Sequence, residues 1–143
     1  MKVDTVLRKK GSTVVTTAPL TSVKNAADRL RAEKIAALVV TDGGAIVGII
    51  SEREIVHALS RYGEELLQKH VDDIMTAAVV TCAPDDTLRH VMGLMTRHHV
   101  RHLPVLDHGR LAGIISIGDV VKHRLDELQL EADVMRDAYL STH

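Results

Sequence analysis

Two segments of this sequence place a glycine, a hydroxyl and a carboxylate at matched spacing: GIISERE over 48–54 and GIISIGD over 113–119. In each, an apolar run that reads as a strand gives way at the serine to what reads as a helix. At such a junction the first-turn N–H groups and the hydroxyl of Ser51 or Ser116 can hold a phosphate. Gly48 or Gly113 lets a ligand approach the strand backbone. Three residues beyond the serine, Glu54 or Asp119 projects from the same helix end, where a carboxylate can accept both hydroxyls of a ribose. Ser-x-x-Glu is also a capping box, in which Ser51 and Glu54 satisfy each other's backbone donors. For one isolated copy the capping box is the stronger reading, and two copies at matched positions after a strand weaken it.

The other chemistry-bearing residues assemble less. Of nine histidines, His98 and His102 are four apart, but they straddle an expected helix end and no HExxH or acidic third ligand accompanies them. They read as solvated or phosphate-facing groups, and no metal site is expected. The single cysteine, Cys82, lies beside Ala83-Pro84 with no sequence-evident base, and one cysteine forms neither an internal disulfide nor a multi-thiolate zinc site. No GxxxxGK[ST] loop, GxSxG elbow or GxGxxG fingerprint occurs. The expectation is that the chain is not an enzyme.

Composition narrows the partners. With 18 basic and 19 acidic residues and a formal charge of -1, there is no electrostatic excess for gripping nucleic acid or an anionic membrane. No Trp, no Phe and two Tyr (Tyr62 and Tyr139) leave no aromatic platform for single-stranded nucleic acid, so the core must be built from Val, Ile, Leu, Met and Ala. At 45% hydrophobic and 26% charged residues, the 143-residue chain has the balance of a folded globular protein. Its apolar runs fall far below the roughly 18 residues a transmembrane helix needs. Met1-Lys2-Val3-Asp4 starts no apolar signal region, so a cytoplasmic location is expected.

The elements that position the two junctions come from a duplication. Residues 14–59 align without gaps on 79–124 at a constant offset of 65, and about 14 of these pairs are identical, among them Pro19/Pro84, Asp42/Asp107, Gly44/Gly109 and Gly48/Gly113. Each copy reads β-α-β-β-α. A short β segment (Val14 to Thr16, Val79 to Thr81) ends at a proline. A helix follows, with apolar residues at Val23, Ala26, Ala27 and Leu30, and at Leu88, Val91, Met92 and Met95; Ser22 and Asp86 or Thr87 are its N-caps. Two β runs come next, Ala36 to Thr41 with Ile46 to Ile50, and His102 to Leu106 with Leu111 to Ile115, around Asp42-Gly43-Gly44 and Asp107-His108-Gly109. Arg61 to Val71 is a charged connector in which Gly63 stops a helix.

The last helix is expected to run to about Tyr139. Val121, Leu125, Leu128, Ala132, Met135 and Tyr139 repeat at 4-3-4-3-4, a heptad seam that packs either on its own domain or on a partner helix. The organisation predicted is a first repeat over 1–62, a linker over 63–72, a second repeat over 73–126 and a helical extension over 127–143. A unit of about 50 residues is marginal alone, so the two repeats are expected to share a core.

With VVTCAPDDT, RHLPVLDHGRLAGIIS and GIISIGD in one copy and ALVVTDGGAIVGIISEREIV in the other, the chain resembles a tandem cystathionine-β-synthase-type (CBS) domain pair, or Bateman module. Val71-Asp72-Asp73-Ile74-Met75-Thr76 also resembles the start of a second such repeat. The resemblance implies an α/β (α+β) fold of two β-α-β-β-α repeats related by a pseudo-two-fold axis. It implies a stand-alone regulatory protein that binds adenosyl ligands (AMP, ADP, ATP, NAD(H) or S-adenosylmethionine) in clefts between the repeats, as an energy or redox-state sensor. No cofactor is required for that role, which involves a homodimer and an unidentified regulated protein; the alternative is a ligand-free interaction module.

In the family pattern G-h-h-[ST]-x-x-D the acid holds ribose and the hydroxyl holds phosphate. Gly113, Ser116 and Asp119 match it fully, while Ser51 is followed by Glu54, one methylene longer than the pattern's Asp. Each cleft also borrows from the other repeat. The Asp119 site would use backbone near Lys10 and Thr13 and around Ala37. The Glu54 site would use the region of Thr76 and 100–103, with Arg53, Arg101 or His102 near phosphates. Arg101 is alternatively salt-bridged, and His102 alternatively on a plain strand surface.

Overall fold

The computed structural model describes residues 1–142. Helix α1 (Val3–Lys10) comes first, followed by β1 (Thr16–Thr17), α2 (Val23–Glu33), β2 (Ala37–Asp42), β3 (Ala45–Ser51) and α3 (Glu52–Tyr62). A 3-10 turn over Gly63–Gln68 leads to the one-turn helix α4 (Val71–Ile74). Then come α5 (Leu88–His98), β4 (His102–Asp107), β5 (Arg110–Ser116) and α6 (Ile117–Thr142). The chain is a mixed α+β protein with two sheets, and it forms two compact units: Thr13–Val79, and Met1–Ser12 together with the chain from Val80 onward.

In the Thr13–Val79 unit, β1 runs parallel to β2, and β2 antiparallel to β3 with Val40 opposite Gly48. The hairpin turns through Gly43 and Gly44, both at positive φ, as a two-residue turn between twisted strands requires. Ser22 caps α2 by accepting from the Asn25 N–H at 3.0 Å, and the helix ends at Lys34 in the left-handed region. Ala26, Leu30, Leu38, Val40 and Ile50 form the core, closed by Val71 of α4. The charged connector is thus partly structural, because Leu66 and Val71 are buried.

The second unit repeats this design with its own modifications. Thr87 caps α5 through the His90 N–H, and β4 pairs with β5 with Val105 opposite Gly113. A bulge falls at Val105/Leu106, the place equivalent to Val40/Thr41. The β segment expected over 79–81 does not form; a single parallel bridge joins Cys82 to Val105. The cause is Pro104. Its equivalent Val39 donates its N–H to the Val15 carbonyl at 3.2 Å, and a proline has no N–H to give. Met92, expected on the buried helix face, is exposed.

The element the sequence reading did not foresee is α1, which buries Val3, Val6 and Leu7 against Val91, Met95, Leu103, Val105 and Ile115. It stands where α4 stands in the other unit. Val71 and Asp72 donate their N–H groups to the carbonyls of Thr21 and Pro19, and Val3 and Asp4 donate to the equivalent carbonyls of Asp86 and Pro84. Beyond Val120 and His123, α6 buries nothing: Val121, Leu125, Leu128, Met135 and Tyr139 are all exposed, so the seam does not pack on its own unit. Among the described residues no helix is long and apolar enough to cross a membrane.

Candidate functional site

Both junctions form where the duplicated pattern puts them. At the first, Ser51 ends β3 and caps α3: its hydroxyl oxygen accepts from the Arg53 N–H at 3.2 Å, while its own N–H donates to Glu54 Oε2 at 2.9 Å. The Ser51 hydroxyl also donates to that oxygen, and the Thr76 hydroxyl donates to Oε1 at 3.0 Å. Both oxygens of Glu54 are therefore engaged by neutral groups of its own unit. Gly48 lies under Met75 and Thr76; a Cβ there would run into Met75 Sδ and lie 3.1 Å from the Thr76 carbonyl oxygen.

At the second junction, Ser116 ends β5 and Asp119 sits in the first turn of α6. The Ser116 N–H donates to Asp119 Oδ2 at 2.9 Å, and the Asp119 N–H donates to Ser116 Oγ at 3.1 Å. Here the third partner is charged. Lys10, the last residue of α1, donates from Nζ to Asp119 Oδ2 at 2.6 Å and to the Ile114 carbonyl oxygen at 2.9 Å. Partial burial alone pushes the Asp119 carboxyl upward, but the Lys10 and Ser116 hydrogen bonds and the lysine's charge outweigh it and hold it below the usual carboxylate range. Gly113 packs against Leu7, whose methyl carbons would lie 2.8 and 2.9 Å from an added Cβ.

The sequence profile of the CBS domain matches residues 9–61 and 71–126. The chain belongs to the CBS domain family. A CBS-domain-containing protein from Agrobacterium tumefaciens has a solved structure 47% identical in sequence, with a TM-score of 0.85 over 87% of this chain and 99% of that one. The curated CBS domain-containing protein YhcV of Bacillus subtilis is 27% identical over 112 residues, 78% of this chain and 79% of its own length. The CBS domain pair of protein MJ0100, solved in complex with 5′-methylthioadenosine and S-adenosyl-L-methionine, is 27% identical, with a TM-score of 0.79 over 89% of this chain and 98% of that one.

His102 starts β4 directly opposite Ser116 and is half-buried, and Ala37 starts β2 opposite Ser51 and is buried. Arg101 is exposed, and its carbonyl accepts from the Ile117 N–H at 2.8 Å, which ties the start of β4 to the start of α6. Arg53 is exposed on the first turn of α3, and Thr13 is exposed in the segment ahead of β1. Cys82 is buried, and burial followed by the Asp86 charge pushes its thiol up to about 12, so it stays protonated at neutral pH.

Two features lay outside the sequence reading. His70, Asp72 and Asp73 bring ligand atoms within 4.8 Å of one another on the surface, but the His70 N–H is already the capping partner of Asp73. A cavity of about 380 Å³ is lined by Thr16, Thr17, Asn25, Arg29 and Thr41, away from Ser51 and Glu54. The equivalent places in the second CBS repeat carry Thr81, Cys82, His90, Leu94 and Leu106.

Proposed function

We propose that this CBS pair is a regulatory protein that binds adenosyl ligands, AMP, ADP, ATP or NAD(H), at its Ser-x-x-acid junctions and reports energy or redox state to a regulated protein. The observation that carries the reading is the Asp119 junction, where serine, acid and first-turn N–H groups converge as a ribose and phosphate require. The MJ0100 pair, solved with two adenosyl compounds, supports the ligand class. In this reading the role is regulatory rather than catalytic. We place it in the cytoplasm as a homodimer, with the exposed seam of α6 covered by a second copy.

The experiment is a melt of nucleotide-stripped protein with an adenosyl panel. At a hundredfold excess over Kd, binding adds about 2.7 kcal/mol, several degrees of Tm. GTP is expected to do less, since guanine's exocyclic groups would go unpaired in a slot built for adenine. Asp119→Ala should weaken binding roughly tenfold or more, whereas Glu54→Ala costs mostly helix-cap stability, about 1 kcal/mol. A second reading, a ligand-free interaction module, is favoured by Glu54, whose two oxygens are already satisfied. An unchanged Tm across the whole panel selects it.

A further inference from the structure

Asp119 and Glu54 occupy equivalent places, yet the groups that hold them differ in charge. Glu54 is held by hydroxyls and an N–H, whereas Asp119 is held by an N–H and an ammonium. The difference originates in the segment packed behind each junction. After Met75 the chain extends, and Thr76 exchanges both backbone hydrogen bonds with Ile49 at 2.9 Å. In the other unit α1 stays helical through Lys10, so no extended backbone reaches Ile114, the residue equivalent to Ile49. The Lys10 side chain reaches it instead, and its ammonium bridges the Ile114 carbonyl and the Asp119 carboxylate. One cation thus sits on the carboxylate that a ribose diol would need.

Lys10 and the Ser116 N–H both bond Oδ2, so a diol that uses both oxygens of Asp119 must displace the ammonium from that one. An uncharged nucleoside offers the displaced cation nothing in return, and a cationic adenosyl compound repels it. A 5′-phosphate offers a stronger anion within the sweep of a four-carbon stem. We infer that Lys10 is the specificity-determining residue of the Asp119 junction: it blocks the carboxylate against uncharged and cationic adenosyl compounds, and moves to the phosphate of a phosphorylated one. At the Glu54 junction the groups that hold the acid are the Ser51 N–H and hydroxyl and the Thr76 hydroxyl. This inference rests on the adenosyl-binding reading above and assigns the ligand class within it.

The test is calorimetric titration of the full chain with AMP, adenosine and 5′-methylthioadenosine, on the parent protein, Lys10→Met and Lys10→Arg. The signal lost in Asp119→Ala is assigned to this junction. The parent should bind AMP at least about tenfold more tightly than adenosine. Lys10→Met should weaken AMP by about tenfold while leaving adenosine and 5′-methylthioadenosine unchanged or tighter, so that the preference collapses. Lys10→Arg, which keeps the charge, should retain it. Equal weakening of all three ligands by Lys10→Met would make Lys10 a packing residue and overturn the inference, as would an AMP preference that survives the substitution. Failure of the parent to bind any of the three overturns the adenosyl reading itself, and the inference with it.

Discussion

Substituting Gly113 with alanine separates two roles a glycine can have beside a ligand site. If its purpose is to let a ligand approach, the substitution lowers affinity and leaves stability alone. The packing assigns it to α1. An added Cβ would lie 2.8 and 2.9 Å from the two methyl carbons of Leu7, against an ordinary carbon contact of about 3.5–4.0 Å. Leu7 must then retreat by about 0.7–1 Å within a core that already holds Val3, Val6 and Ile115. Overpacking of this kind costs about 1–3 kcal/mol. In a Leu7→Ala background, itself weakened by about 2–5 kcal/mol, the clash is absent, and alanine in a strand is better than glycine by about 0.5–1 kcal/mol. Gly113→Ala should therefore destabilise the parent and stabilise the Leu7→Ala protein, a coupling of about 1.5–4 kcal/mol in a double-mutant cycle by urea denaturation. Because Lys10 follows Leu7 on the same helix, the single variant should also loosen the ammonium on Asp119. An equal loss of stability from Gly113→Ala in both backgrounds would refute the packing argument.

The Asp119 carboxyl is held below its usual range, so its contribution to stability is fully present above the unfolded value of about 3.9 and is lost as pH falls through the folded one. The stability gap between the parent and Asp119→Asn, followed by denaturant melts, should narrow steadily below about pH 4; a gap flat across that window would show that the pairing is not ionic. Lys34 ends α2 at a φ of 54°, where an L side chain is strained, so Lys34→Gly should raise stability by about 0.5–1 kcal/mol in chemical melts, and a loss would contradict the cap assignment. Leu128 and Met135 are 49% and 73% exposed on the seam of α6, so Leu128→Glu with Met135→Glu should shift sedimentation toward monomer without lowering the monomer's melting temperature, whereas an undisturbed dimer would remove the seam from the interface.

The architecture was legible where local chemistry dictates it. Asp42-Gly43-Gly44 and Asp107-His108-Gly109 mark hairpins because such turns need positive φ, and Ser22 and Thr87 mark helix starts because their oxygens take otherwise unpaired N–H groups. α1 was missed although Val3, Val6 and Leu7 have helical spacing. Eight residues do not sustain a helix alone, and this one forms because it covers a core made by residues some eighty positions later. The serine and acid of each junction are three apart, and their spacing announced the pairing. The groups that complete them lie 22 positions away at Thr76 and 109 at Lys10, distances at which no periodicity operates, so only the family resemblance pointed to them.

The duplication also supplies an internal reference, and the departures from it accumulate in one unit. Val39 becomes Pro104, and an edge strand shrinks to a bridge. The extended pairing of Thr76 with Ile49 becomes a helix that delivers Lys10, and the neutral hold on the acid becomes a charged one. Gly63, which ends α3 at a φ of 58°, becomes Leu128, so α6 passes the same point and runs on to Thr142. The Thr13–Val79 unit has the same β-α-β-β-α fold with none of these changes. Two of them meet at one place. The acid that Lys10 holds lies in the first turn of the same helix that carries the exposed seam, so a ligand that frees Asp119 from Lys10 would act on the N-terminus of the element that a second copy would grip.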